Sequence, residues 1–232
     1  MTLPQAGIFG IARHGPRSTA YNPPMPPHST QNVIFDFGGV LVRWKPQEII
    51  DDFYQDEALR AQLREQVFQH PDWLEMDRGT LEDADAAQRF AARMNRPAAE
   101  MLDLLQRVKE HLVPLQASLD LVNDLAERGI PVYGLSNMAS STFQHLKERH
   151  AIWDVFRGIV ISGHIQLVKP DPRIFEHISK TYGLAPGATA FIDDLEANVR
   201  AAARHGFRGI RFESAAQSRA ELEAWLDTGV AS

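Results

Sequence analysis

From residue 33 onward, short apolar runs alternate with longer stretches in which apolar positions recur every three or four residues. The runs are 33–37 (VIFDF), 131–135 (PVYGL), 158–161 (GIVI), 189–193 (TAFID) and 208–212 (RGIRF). Each is short and nearly continuously apolar, the pattern of a strand covered on both faces. Between them lie helical patterns with end signals. From Ser118 to Arg128, Leu119, Val122 and Leu125 share one face, and Gly129 closes the segment. Asp171 stands as an N-cap before Pro172, followed by Ile174, Phe175 and Ile178. A third helical pattern runs from Ala197 to His205 and ends at Gly206. Strand and helix in alternation predict a parallel, doubly wound α/β sheet.

Two segments break the alternation. Residues 46–112 hold no strand pattern and several amphipathic stretches, among them Thr80 to Met94 and Ala98 to His111. That is too long for a crossover and too helical for a loop, so a small helical insertion is expected after the first strand. Residues 1–31 carry Pro4, Pro16, Pro23, Pro24, Pro26 and Pro27 and no acidic residue. Such proline density removes backbone donors and predicts a disordered arm.

Composition narrows the function. With 44% hydrophobic and 23% charged residues over 232 positions, the chain has material for one sizeable core plus a satellite. A net charge of -6 gives no electrostatic reason to expect nucleic acid or an anionic membrane as partner. The absence of cysteine excludes disulfides, thiolate metal sites and cysteine nucleophiles. It fits a reducing compartment, and a cytoplasmic location is the expectation. No apolar run approaches the roughly 18 residues that span a bilayer.

Ligands of open α/β sheets bind beyond the carboxyl ends of the strands. Asp36 follows the first run, Ser136 and Asn137 the second, and Asp193 and Asp194 the fourth, while Lys169 follows the third and precedes Pro170. Three carboxylates are hard oxygen ligands suited to Mg²⁺. A lysine offers a point charge for a phosphoryl group, and the hydroxyl and amide offer short donors. Asp36, ionised near neutrality at its ordinary pKa, is able to attack phosphorus.

The segments FDFGGVLV, LSN, KPDPRIF and FIDDLEANVRAA resemble, in order, the four motifs of the haloacid dehalogenase-like hydrolase superfamily. The resemblance implies a Rossmann-like three-layer core with a parallel sheet (residues 32–45 and 113–232) and an inserted α-helical cap (46–112). It implies Asp36 as nucleophile and, with Lys169, as catalytic residue. It places substrate contacts at Phe37, Gly38, Ser136, Asn137 and Lys169. It places Mg²⁺ ligands at Asp36, Gly38, Asp194 and Asp193, with Asp194 preferred because Asn198 falls four residues later. A small phosphorylated molecule is the implied substrate.

Phosphatases of the superfamily usually carry a second aspartate two residues after the first, as the acid that protonates the leaving oxygen. Here that position is Gly38. Three readings stay open: a phosphatase for an easily released group such as the anomeric oxygen of a sugar 1-phosphate, since with Gly38 and a short helical cap the chain resembles the branch that includes bacterial glucose-1-phosphate phosphatases; a 2-haloacid dehalogenase, in which halide leaves without a proton; or a weakened protein that binds a phosphorylated ligand or a partner. Trp73, Leu74 and Met76 either pack the insertion or face the substrate, and Asp77, Arg78 and Gly79 share that ambiguity.

Overall fold

The computed structural model describes residues 31–228, so the arm expected over residues 1–31 lies, apart from Gln31, outside the described residues. The elements run β1 (Asn32–Phe35), α1 (Pro46–Phe53), α2 (Glu57–Leu63) continued by a π-helical turn (Arg64–Phe68), α3 (Pro71–Arg78), α4 (Asp83–Met94) and α5 (Ala98–His111). They continue with α6 (Gln116–Glu127), β2 (Val132–Ser136), α7 (Ser140–Arg149), β3 (Gly158–Ile161), α8 (Ser162–Ile165) and α9 (Pro172–Tyr182). The last are β4 (Thr189–Asp193), α10 (Glu196–Arg204), β5 (Arg208–Arg211) and α11 (Ala215–Leu226). All five apolar runs are strands, within two residues of the positions the pattern gives. Helix α11 left no periodic signal because it buries only Ser218 and Leu222.

The five strands form one parallel sheet in the order β3-β2-β1-β4-β5, a Rossmann-like α/β fold. Side chains alternate across it with period two. Val33 and Phe35 face a layer that includes Leu121, Val122 and Leu125 of α6 and Leu222 of α11. Ile34 faces Ile174, Phe175 and Ile178 of α9 and Ala201 and Ala202 of α10. The chain builds outward from β1 to β3, then returns to lay β4 on the other flank of β1. The order therefore reverses between β1 and β4, which is where an open α/β sheet leaves a crevice at its carboxyl edge. Asp36 leaves β1 there, its N–H donating to Ile192 O of β4 at 2.9 Å.

Residues 46–111 form a helical lobe with its own core, in which Leu63, Val67, Phe90, Met101 and Leu104 are fully buried. Burying each such side chain contributes about 1.5–3 kcal/mol toward holding the helices against one another. Between α4 and α5 the chain turns through Asn95 in the left-handed region (φ 50°), a conformation asparagine tolerates.

The lobe is seated on the loop after β2 and on α8. Ser162 Oγ donates to the carbonyl of Asp77 and accepts from the N–H of Met138 at 2.8 Å. Lys109 Nζ donates to Asp83 Oδ2 at 2.6 Å, and Ser141 Oγ donates to Asp83 Oδ1 at 3.1 Å. Gly79 ends α3 at φ 78°, and a Cβ there would stand 2.3 Å from the carbonyl oxygen of Gly163. Both backbone shape and contact distance thus exclude a side chain. Gly79→Ala is expected to cost more than about 2 kcal/mol, of which the left-handed φ accounts for about 1 and the backbone collision for the rest. Thermal unfolding should show a loss of roughly 5 °C or more; a midpoint matching the parent would show that the lobe is not seated through this contact.

Candidate active site

Asp36 is followed by a tight loop. The N–H groups of Leu41 and Val42 both donate to Phe37 O, at 2.8 and 2.9 Å, and Gly39 N–H donates to Val42 O at 2.8 Å. Gly39 sits at φ 77°, and a Cβ on it would lie 2.6 Å from Asp194 Oδ2. Glycine therefore both permits the reversal and leaves room for that carboxylate. The Phe37 side chain turns away into the core against Phe143, Trp153 and Phe156. Only its N–H reaches the site, donating to Asp36 Oδ1 at 2.6 Å.

Lys169 is the hub. Asn137 brackets its backbone: Asn137 Nδ2 donates to Lys169 O at 2.9 Å, and Lys169 N–H donates to Asn137 Oδ1 at 2.7 Å. The Asn137 amide, expected to meet phosphate, is thus engaged on both sides in placing the lysine. Lys169 Nζ reaches Leu135 O at 3.0 Å, Asp36 Oδ1 at 2.7 Å and Asp193 Oδ2 at 2.7 Å, which occupies all three of its donors. Burial works against its charge, yet Asp36 and Asp193 outweigh this and hold the ammonium above its usual range.

The two aspartates ending β4 differ. Asp193 is fully buried and saturated, accepting from Lys169, from Leu195 N–H at 2.8 Å and from Asn198 Nδ2 at 3.0 Å to each oxygen. Asp194 faces the cavity, and burial followed by the Asp193 charge raises its pKa. Oxygens of Asp36, Asp193 and Asp194 lie within 4.8 Å of one another. Burial pushes Asp36 up to about 7, with Lys169 pulling down and Asp193 pushing up. Three carboxylates against one ammonium leave excess negative charge, and an all-oxygen donor set of this kind fits a hard divalent cation. Ser136 lies one residue beyond Leu135 with its Oγ buried and without a hydrogen-bond partner.

Asp36, Gly38, Asn137, Lys169 and Asp194 line one cavity of about 670 Å³; Phe37, Ser136 and Asp193 stand behind its wall. The opposite wall comes largely from the helical lobe and is mostly apolar: Ile50, Phe68, Trp73, Leu105 and Val108 line it, together with Trp44. Trp44, Phe68 and Trp73 form an aromatic cluster with centroid separations of 4.8–6.3 Å. Trp73, Leu74, Met76 and Asp77 all reach this cavity. Sequence periodicity missed Trp44 and Phe68, because each lies in a short segment whose facing depends on how lobe and sheet meet. Asp171 caps α9, accepting from Arg173 N–H at 2.9 Å.

A Rossmann-like parallel sheet with three carboxylates and a lysine gathered at its switch point sets the class of protein. The family model of haloacid dehalogenase-like hydrolases matches residues 30–206, and the chain belongs to that family. It is 29% identical over 190 residues to the sesquiterpene phosphatase astK of Aspergillus oryzae (strain ATCC 42149 / RIB 40), covering 82% of this chain and 93% of that protein. It is 25% identical over 215 residues to the D-ribitol-5-phosphate phosphatase of Bacteroides thetaiotaomicron, covering 85% and 99%. Among solved structures, the HAD family enzyme bt-2542 of Bacteroides thetaiotaomicron, in complex with magnesium and inorganic phosphate, superposes with TM-score 0.64 at 24% identity, covering 78% of this chain and 93% of that one. Among the described residues no helix is long and apolar enough to cross a membrane.

Removing the hub charge should be costly. Lys169→Met leaves Asp36 and Asp193 buried without a counter-charge, an expected loss of about 3–5 kcal/mol in metal-free denaturant unfolding at neutral pH. A carboxyl whose folded pKa is raised stabilises at low pH and loses that contribution as pH rises through the folded value. The deficit should therefore grow from pH 5 to pH 8, across the value of about 7 at Asp36. A deficit independent of pH would show that the lysine is not the counter-charge.

Proposed function

We propose that the protein is a Mg²⁺-dependent phosphatase of small phosphorylated alcohols that works through an aspartyl-phosphate on Asp36. The observation that carries this reading is the meeting of Asp36, Lys169 and Asp194 at the floor of one cavity, with Asp36 and Lys169 at 2.7 Å. Both curated relatives described above are phosphatases, which supports it. In this mechanism a carboxylate oxygen of Asp36 attacks phosphorus and the alcohol leaves; water then cleaves the acyl phosphate and restores the carboxylate. Lys169 keeps Asp36 charged in a buried setting that otherwise favours its neutral form. Asn137 positions Lys169. Asp36, Gly38 and Asp194 would hold the divalent cation, with Asp193 orienting from behind; when bound, the cation offsets the repulsion between nucleophile and phosphate.

The walls bear on the substrate's carbon portion. A sugar presents hydroxyls that need partners, and each one left unpaired against Trp44, Phe68, Trp73, Leu105 or Val108 costs about 1–3 kcal/mol. An alcohol with an apolar body gains instead about 0.8 kcal/mol per buried methylene. The favoured substrate is therefore the phosphate ester of an apolar alcohol rather than a sugar phosphate, a reading that the sesquiterpene phosphatase supports.

Phosphate release from a series of linear alkyl phosphates, alongside glucose 1-phosphate, tests both parts. kcat/KM should rise about fourfold per added methylene until the cavity is filled. Release should fall to background with chelator and in Asp36→Asn. A variant as active as the parent would sink the nucleophile assignment, and a flat chain-length profile would sink the apolar substrate. Halide release from 2-chloropropionate that persists in chelator would instead mark a dehalogenase.

A further inference from the structure

The position two residues beyond the nucleophile is Gly38, which has no group to donate a proton, yet it faces the same cavity as a carboxyl from the helical lobe, Asp77. Resting on the phosphatase reading, we propose that Asp77 is the general acid of the reaction, delivered to the leaving oxygen by the lobe rather than by the loop after β1.

Asp77 lies in the last turn of α3, and three contacts fix it over the site. Its carbonyl accepts from Ser162 Oγ, its carboxyl accepts from the N–H of Ala139, and two residues on Gly79 packs directly on Gly163. Asp77 is thereby tied to the loop after β2, which also carries Asn137, the clamp on Lys169. The charged groups that share its cavity are Asp36, Lys169, Asp194, Asp83, Lys109 and Arg64. Burial first, then the charge of Asp36, pushes the Asp77 carboxyl up to about 8 against the opposing pull of Lys169. It therefore carries its proton near neutrality, as a general acid must.

The step balances. A carboxylate oxygen of Asp36 bonds to phosphorus, the bond from phosphorus to the ester oxygen breaks, and the Asp77 proton moves to that oxygen, releasing neutral alcohol. In the second half water gives its proton to the Asp77 carboxylate while its oxygen bonds to phosphorus and the bond from phosphorus to the Asp36 oxygen breaks. Hydrogen phosphate leaves and both aspartates return to their starting states.

The test compares leaving groups within one protein sample, so the ratio of two activities is unaffected by any loss of folded material. Decyl phosphate expels an aliphatic alkoxide that needs a proton, whereas p-nitrophenyl phosphate expels a stabilised phenolate that does not. Asp77→Asn retains an acceptor for Ala139 N–H. It is expected to lower decyl phosphate turnover about 10²–10⁴-fold and p-nitrophenyl phosphate turnover by a far smaller factor. A Cβ at Gly38 meets nothing closer than Trp44 Cβ at 3.7 Å, so an aspartate is admissible there. Adding Gly38→Asp to Asp77→Asn should restore decyl phosphate turnover by about tenfold or more. Equal losses on the two esters would overturn the proposal. A parent protein that releases phosphate from neither ester would overturn the phosphatase reading and this proposal with it.

Discussion

The contact on which the rest of the site depends is the ammonium of Lys169 between the buried carboxylates of Asp36 and Asp193, at 2.7 Å to each. Two carboxylates at adjacent strand ends repel strongly once water is removed, and burying the pair without a counter-charge is costly. Much of the surrounding structure exists to place that one nitrogen. The parallel pairing of β1 with β4 brings the two aspartates side by side, the Asn137 amide fixes the lysine backbone, and Leu135 O takes its third donor. Asn198 and Leu195 complete the shell of Asp193, so that Asp194 is the carboxylate left facing the cavity.

The helical lobe supplies what the sheet lacks. An open α/β edge is polar and wet, and electrostatic interactions at it strengthen behind a wall that excludes water. The aromatic cluster of Trp44, Phe68 and Trp73 makes such a wall. Glycines occupy the points where this assembly is tightest. Gly39 leaves space for Asp194, and Gly79 lets the lobe touch the core backbone.

The groups that gather at the floor were largely legible in the residues themselves. The strands are short apolar runs, and each ends at the polar residue that enters the crevice, so placing the strands also placed Asp36, Asn137 and Asp194. Finer assignments were less legible. Phe37 belongs to the core by its side chain, because alternation along the strand puts it on the face opposite Asp36. The Asn137 amide serves Lys169, a partner 32 residues away that no local pattern reveals. Helix α11 has too little amphipathic contrast to be read from its sequence.

By itself, then, the sequence determined the parallel sheet, the helical insertion and the set of groups at the strand ends, because periodicity and end signals act over neighbouring residues. The tertiary structure alone decided which residues in and beside the lobe meet those groups. Trp44, Phe68, Trp73 and Asp77 reach the cavity because two separately packed cores are docked through Ser162, Gly163 and Asp83. That docking is a contact between segments far apart in the chain, and its geometry follows from shape and hydrogen bonding across the junction, not from the pattern within either segment.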